Sequence, residues 1–314
     1  MTKHTFTVVL AIFFSCPHIQ IIAQIRDIEH VILIGADGVS AEVIRECKES
    51  FPNIQKMVKE GTSTLEMRTV LPSHSAANWK SILAGASPEL HGFTTCCDSL
   101  PDLLPRTLNQ YGTFPGIFGL VRDKYPQAEL GCIYSWRGIG HLFEKQAVNF
   151  DVCIDIADIV VTDSIARLYD LEVLEKSVKY LTDKKPLFTF VYFSQPDVTG
   201  HIFGYQSIDY ENVIGVGGVD SYIGEIMQVL HNSNMYQNSI VIFIADHGGI
   251  GKNHGGKTMQ EMQVPYILWG RHIKKNSIID ESLMVYDNAA TIAYILGIEQ
   301  PQAWIGRVVK SAFE

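Results

Sequence analysis

The sequence predicts an α/β protein: a three-layer α/β/α sandwich around a mostly parallel central sheet. Three observations carry that expectation. Short, wholly apolar runs alternate with amphipathic stretches along the chain. Several of those runs lack an alternating polar face, as expected of strands covered on both sides. No internal repeat or low-complexity linker interrupts the rhythm, so residues 24–314 read as a single domain. His30–Gly35 is the first such strand, and Ser40 is placed to cap a helix over Ala41–Lys48. Pro52–Glu60 reads as a helix stopped by Gly61, Thr62–Val70 as a strand, and Ala76–Ala84 as a helix entered from the turn Leu71–Ser75. Pro115–Lys124 is predicted helical, Leu130–Tyr134 a strand, Asp163–Leu181 a long helix and Leu187–Phe193 a central strand. A helix over Val219–Leu230 then feeds the strand Ile240–Ala245, followed by a strand at Val264–Leu268 and a helix over Asn288–Leu296 closed by Gly297. Residues 94–163 are least regular and have room for a small cap.

Composition bounds the function. At 314 residues, 46% hydrophobic and 19% charged, the chain is an ordinary globular protein. Residues 1–23 combine Lys3, an apolar run over Phe6–Phe14, no acidic residue, and a small residue at Ala23. That is the build of a secretory signal peptide and predicts export, to a periplasm or beyond. Pro17 and His18 interrupt the run before it reaches spanning length, so no stable membrane span is expected after cleavage. Removing this segment leaves 24 basic and 34 acidic residues, a net charge of −10. Such a balance argues against a nucleic-acid polymer as partner. It is compatible with a small anionic substrate where bound metal reverses the local field. The remaining cysteines, Cys47, Cys96, Cys97, Cys132 and Cys153, form no C-x-x-C pair; one or two disulfides are permitted and their connectivity is open. Oligomeric state is not legible.

Chemistry-bearing residues gather where predicted strands end. Asp37 follows the first strand; Asp197 follows Leu187–Phe193 with His201 four residues on; Asp246 and His247 follow Ile240–Ala245, with His254 in the glycine-rich loop beyond. Ser75 sits in a turn at a helix entrance. Each has a bland reading: Asp37-Gly as a turn dipeptide, Ser75 as a cap, Asp197 and His201 as a solvated helical pair. Their joint placement at the carboxyl ends of successive buried strands is where α/β proteins build sites. Carboxylate and imidazole donors suit zinc or a similar divalent ion. Two such ions beside a serine suit in-line displacement at phosphorus or sulfur. No G-x-S-x-G elbow surrounds Ser75, which counts against an ordinary esterase. His74 is adjacent, but neighbouring side chains diverge, making it a weak general-base candidate.

The motifs Ile34–Gly38, Leu71–Asn78, Ala84–Gly92, Gln195–His201 and Ala245–Gly248, with the tail Asp287–Gly306, resemble the alkaline phosphatase superfamily, and within it the nucleotide pyrophosphatase/phosphodiesterase branch. The resemblance covers nearly the whole chain after the leader. It implies an alkaline phosphatase-like fold and two zinc sites, one held by Asp197, His201 and His254, the other by Asp37, Asp246 and His247 with Ser75 beside it. It further implies that Ser75 attacks phosphorus to give a phospho-serine, and that Asn78 donates to a non-bridging phosphoryl oxygen. Two departures stand out. The diesterase branch usually carries Thr where Ser75 stands, and its last histidine usually lies farther along; His254 is the candidate here and His272 the runner-up. Arg137, in Ser135–Gly138, is placed in outline where a phosphatase carries a cation over the phosphate, with a surface ion pair as its alternative. Lys80 is a weaker candidate expected to point outward, and His91 is expected to brace the nucleophile loop.

The implied function is a metal-dependent phosphoric ester hydrolase, a phosphodiesterase or nucleotide pyrophosphatase taking small phosphoesters. A phosphomonoesterase of the same superfamily and a non-catalytic exported binding protein are the alternatives. A formylglycine sulfatase is disfavoured, because Ser75-Ala-Ala-Asn-Trp79 lacks the required Pro and Arg.

Overall fold

A computed structural model of the chain describes residues 25, 27–95, 100–155 and 161–314; the leader-like residues 1–23 and the pair Cys96–Cys97 lie outside the described residues. Its strands are β1 (His30–Ala36), β2 (Thr62–Arg68), β3 (Leu130–Tyr134), β4 (Phe150–Cys153), β5 (Phe188–Phe193), β6 (Ser239–Ile244), β7 (Gln263–Gly270) and β8 (Ser277–Ile278). They form one sheet in the order β4-β3-β5-β1-β6-β7-β2-β8. Only β7 runs against its neighbours β6 and β2; the other pairings are parallel. Every residue of β1, β5 and β6 is buried, as their unbroken apolar runs require.

The helices are α1 (Ala41–Glu46), α2 (Pro52–Glu60), α3 (Ser75–Ala84), α4 (Pro88–His91), α5 (Ile117–Lys124), α6 (Asp163–Lys184), α7 (Gln195–Phe203), α8 (Ile208–Ile214), α9 (Val219–Asn232), α10 (Met259–Met262) and α11 (Asp287–Ile295). α2, α6 and α9 pack together as one covering layer, and α3, α5 and α11 as another. Sequence cues set several boundaries. Ser40 accepts from the Val43 amide at the start of α1, Pro52 opens α2, and Gly85 closes α3 in the left-handed region.

Within the segment 94–163, β3 and β4 are strands of the main sheet, and α5 packs on α3 and α11. β4 escaped notice because its Phe150-Asp-Val-Cys153 sequence is short and only half-buried at the sheet edge. After β5 the chain forms α7 and α8, with Pro196 in the first turn of α7, where its missing N–H costs no hydrogen bond. Cys47, Cys132 and Cys153 are free thiols.

The parallel core aims three chain reversals the same way. Ala36 lies opposite Phe193, and Gly35 opposite Ile244, so β5, β1 and β6 end side by side. The turn after β5 is fixed by a buried carboxylate from another element. Asp170 of α6 accepts from the Ser194 and Gln195 amides at 3.0 and 2.9 Å and from Ser135 Oγ at 2.5 Å. Burial pushes its carboxyl up to about 7 against those hydrogen bonds. Asp170→Asn replaces one of the two accepting oxygens by an NH₂, leaving either the Ser194 or the Gln195 amide facing a donor, and is expected to lower stability by about 2 kcal/mol in urea unfolding. Wild-type stability of that variant would mean that the start of α7 is held by something else.

Candidate metal centre

Asp37, the residue after β1, is nearly fully buried and its two oxygens are used differently. Oδ2 accepts from Trp79 Nε1 at 3.0 Å and from the Tyr192 hydroxyl. Oδ1 is buried with no hydrogen-bond partner and lies 3.4 Å from His247 Nε2. Asp246, after β6, repeats the arrangement: Oδ1 accepts from the Gly38 amide at 3.1 Å, while Oδ2 is buried without a donor, 3.2 Å from His247 Nε2. Gly38 has φ +71 and faces Asp197, so a side chain there would meet that carboxylate 2.9 Å away. On α7, Asp197 and His201 share one helical face; Asp197 Oδ2 lies 3.3 Å from His201 Nε2, and Oδ1 lies 3.8 Å from His254 Nε2 while accepting from the Tyr205 hydroxyl.

Two groups of donor atoms result, each tight enough for one ion: Asp197, His201 and His254, and Asp37, Asp197 and His247. Asp197 belongs to both. Asp246 approaches the second group through its contact with His247. The donor set fits cations on two physical grounds. Unpartnered buried carboxylate oxygens are costly unless neutralised. The imidazoles are also tautomerically prepared: Nδ1 of His201, His247 and His254 lies 2.8–2.9 Å from the carbonyls of Lys252, Gly248 and Ser73. A carbonyl only accepts, so each Nδ1 carries the proton and each Nε2 presents a lone pair toward carboxylate oxygen. Lone pair against carboxylate is repulsive until a cation or a proton stands between.

The charge balance without an ion agrees. Burial, then the Asp197 charge, raises Asp37 to about 8, and burial with the Asp37 charge raises Asp246 well above the usual range. Burial and the neighbouring His254 lower His247 to about 3, consistent with its stacking on His254 at 3.8 Å between centroids. His201 is raised to about 9 by its hydrogen bond to Asp197. Asp197 itself lies well below the carboxylate range: burial would raise it, but the His201 hydrogen bond and the neighbouring imidazoles outweigh that.

Ser75 is the first residue of α3, with Oγ 3.1 Å from His247 Nε2. The pair is not a serine-hydrolase dyad. His247 Nδ1 goes to a backbone carbonyl, and both nearby acids crowd the same Nε2 that Ser75 touches. No side chain caps α3, and its first backbone bond is Asn78 N to His74 O. The Ser75, Ala76 and Ala77 amides precede that bond and leave the positive end of the helix beside the serine.

Three sequence expectations are redirected. Asn78, expected on a phosphoryl oxygen, is fully buried: Oδ1 accepts from the Val70 amide at 2.7 Å, and Nδ2 donates to the Pro72 and His74 carbonyls. It braces the serine turn from behind. Arg137, expected over the phosphate, instead forms a two-pronged pair with Asp155, Nε to Oδ2 at 3.1 Å and Nη2 to Oδ1 at 3.3 Å. Lys80 points inward, donating to the Phe114 and Leu142 carbonyls. His272 follows β7, whose end pairs beside the amino end of β6, so it lies across the sheet from the site. His91 bonds Ser81 behind α3. Trp79, Tyr192 and Tyr205 went unassigned in the sequence; the signal for Trp79 was its position four residues after Ser75, on the same helical face.

A cavity of about 460 Å³ opens over Asp37, Ser75, Asp197, His201 and His254, walled by His74, Ser135, Trp136, Asp155, Tyr192 and Asn253 among others.

With this geometry in place, comparison with known proteins decides the family. The profile of the Type I phosphodiesterase / nucleotide pyrophosphatase family matches residues 31–97 and 134–261. The chain belongs to that family. It is 24% identical over 229 residues to human bis(5'-adenosyl)-triphosphatase, covering 69% of this chain and 47% of that protein. It is 26% identical over 227 residues to human ectonucleotide pyrophosphatase/phosphodiesterase family member 1, with 69% and 23% covered. The venom phosphodiesterase of Naja atra matches at 26% over 227 residues, with 69% and 26% covered. The chain thus spans about half or less of the curated relatives it matches. Among solved structures, murine ectonucleotide pyrophosphatase / phosphodiesterase 5 in complex with AMP superposes with TM-score 0.66 at 13% identity, covering 91% of this chain and all of that one. A mutant of the alkaline phosphatase PafA gives TM-score 0.73 at 11%, covering 93% and 100%. Those superpositions establish an alkaline phosphatase-like fold for this member of the family.

One prediction follows from the pKa directions. Asp37 near 8 and His201 near 9 hold protons at pH 7 that a cation must displace, so binding of a divalent cation such as zinc is expected to release protons and to tighten as pH rises toward 9. Calorimetric zinc titrations at pH 7 in buffers of different ionisation heat should give different apparent enthalpies; identical enthalpies would contradict this electrostatic account.

Proposed function

We propose that the chain is a two-metal phosphodiesterase, with zinc the favoured ion, acting on nucleotide-type phosphodiesters through a phospho-serine. The observation that carries the reading is the convergence of Ser75 Oγ with two donor groups joined by Asp197. Asp197, His201 and His254 would hold one ion, and Asp37, Asp246 and His247 the other. When bound, the ions supply charge neutralisation for the serine oxygen, the phosphoryl group and the leaving oxygen. Ser75 Oγ forms a bond to phosphorus as the bond to the leaving alcohol breaks; water then hydrolyses the phospho-serine. The amide N–H groups at the start of α3 face developing negative charge on the phosphoryl oxygens.

Diester over monoester is favoured by charge. Among the described residues the cavity wall contains no Lys or Arg. Arg137 is committed to Asp155 and Lys80 to carbonyls. Among the described residues a monoester dianion thus finds no added side-chain cation, while a diester monoanion needs none. The Trp136 wall supports an aromatic substituent such as a nucleobase, in keeping with the relative named as a bis(5'-adenosyl)-triphosphatase.

Initial rates of the zinc-loaded protein on bis-p-nitrophenyl phosphate, p-nitrophenyl phosphate and the p-nitrophenyl ester of thymidine 5′-monophosphate test this. Both diesters are expected to exceed the monoester, the nucleotide ester by the larger margin, and Ser75→Ala should fall to the rate of metal-free protein. Preference for the monoester would sink the diesterase reading; full activity of Ser75→Ala would sink the phospho-serine.

A further inference from the structure

His74 precedes the nucleophile, lines the cavity, and has no role in either donor group. His201, His247 and His254 each anchor Nδ1 on a carbonyl; His74 does not. Its Nδ1 is buried without a partner, and no hydrogen bond joins its ring to any described residue. The ring is held by packing instead. It lies against Gly255, where φ is +104 and a Cβ would stand 2.2 Å from the ring, and it meets His254 edge-on with centroids 5.4 Å apart. A larger residue at 255 would evict it.

The unpartnered nitrogen decides where the proton sits. A buried N–H without an acceptor is rarer and more costly than a bare acceptor lone pair. The Nδ1 position therefore favours the tautomer with its proton on Nε2, the nitrogen that is not sealed in the protein. His74 thus offers an N–H donor at the cavity beside Ser75. Three nearby polar side chains are engaged elsewhere: Asn78 in the turn behind the serine, Arg137 on Asp155, and Ser135 on Asp170.

We propose that His74 is a substrate-binding residue, its Nε2–H donating to an oxygen of the phosphoryl group that Ser75 attacks. This rests on the phosphoryl-transfer reading above and assigns a specific donor to it. The donor acts as a neutral hydrogen-bond group, so one side-chain N–H partly fills the place that a cation holds in a site built for dianions. A phosphate oxygen gives that Nε2–H an acceptor, while Nδ1 stays a buried lone pair.

The test compares His74→Phe, which keeps a flat ring on Gly255 without a donor, with His74→Gln, which restores an N–H. Three readouts apply: kcat/KM on bis-p-nitrophenyl phosphate, calorimetric Kd for inorganic phosphate on zinc-loaded protein, and zinc per chain. His74→Phe is expected to lose about 10- to 100-fold in kcat/KM and to bind phosphate more weakly, with zinc content unchanged; His74→Gln should recover most of both. Wild-type kinetics and phosphate affinity in His74→Phe would overturn the proposal. So would equal losses in both variants accompanied by loss of zinc, since that pattern marks a packing role on His254. Should the wild type turn over no diester, the phosphodiesterase reading fails, while the phosphate titration still decides for or against His74.

Discussion

Three carboxylates, Asp37, Asp197 and Asp246, are brought together at the ends of β5, β1 and β6, and the sheet leaves them little water. Mutual repulsion in a low-dielectric setting would drive them apart or protonate them. The surrounding structure answers that strain with donors on their outer oxygens. Trp79 and Tyr192 reach Asp37, Tyr205 reaches Asp197, and the Gly38 amide reaches Asp246. Each donor fixes one oxygen and leaves the other turned inward. The site is thus a negative cavity whose shape is set from outside and whose neutrality must come from within.

This arrangement explains why α3 is buried on every side, unusual for a helix in a covering layer. Its first residue is Ser75, the proposed nucleophile, and its fifth, Trp79, donates to Asp37 after the neighbouring strand. Asn78 between them ties the turn Val70–His74 to the helix. A single element therefore sets the distance between serine and carboxylate. The same coupling keeps the Asn78 side chain inside the turn.

The fold and the gathering of the acidic and histidine side chains at one rim of the sheet were largely legible because they depend on period and position. β1, β5 and β6 announce themselves as apolar runs, and the acids that follow them inherit their location from the strands. The exceptions share a cause. Arg137, Lys80 and Asn78 have side chains whose partners, Asp155, two distant carbonyls and the Val70 amide, arise from packing that no spacing rule encodes. The direction of a long side chain is a tertiary property, and so is the solitude of His74. β4 and β8 were missed because edge strands carry a weak hydrophobic signature.

The reversal of β7 has a further effect. In a wholly parallel sheet the chain after β6 would leave for the far end through a crossover. Here it turns back at once, and the connection from Ala245 to Met262 begins and ends on the same rim. Glu261 ties that loop to itself, receiving the Gly256 and Thr258 amides while its carbonyl takes the Gly248 amide. The loop is a short closed ring bearing His247 on one limb and His254 on the other, so the conformational entropy of bringing the two imidazoles face to face is settled largely by local closure. The tip of that ring also presents the Lys252 carbonyl to His201 Nδ1, so lengthening it there would leave the strand register intact yet loosen an imidazole that belongs to a different element.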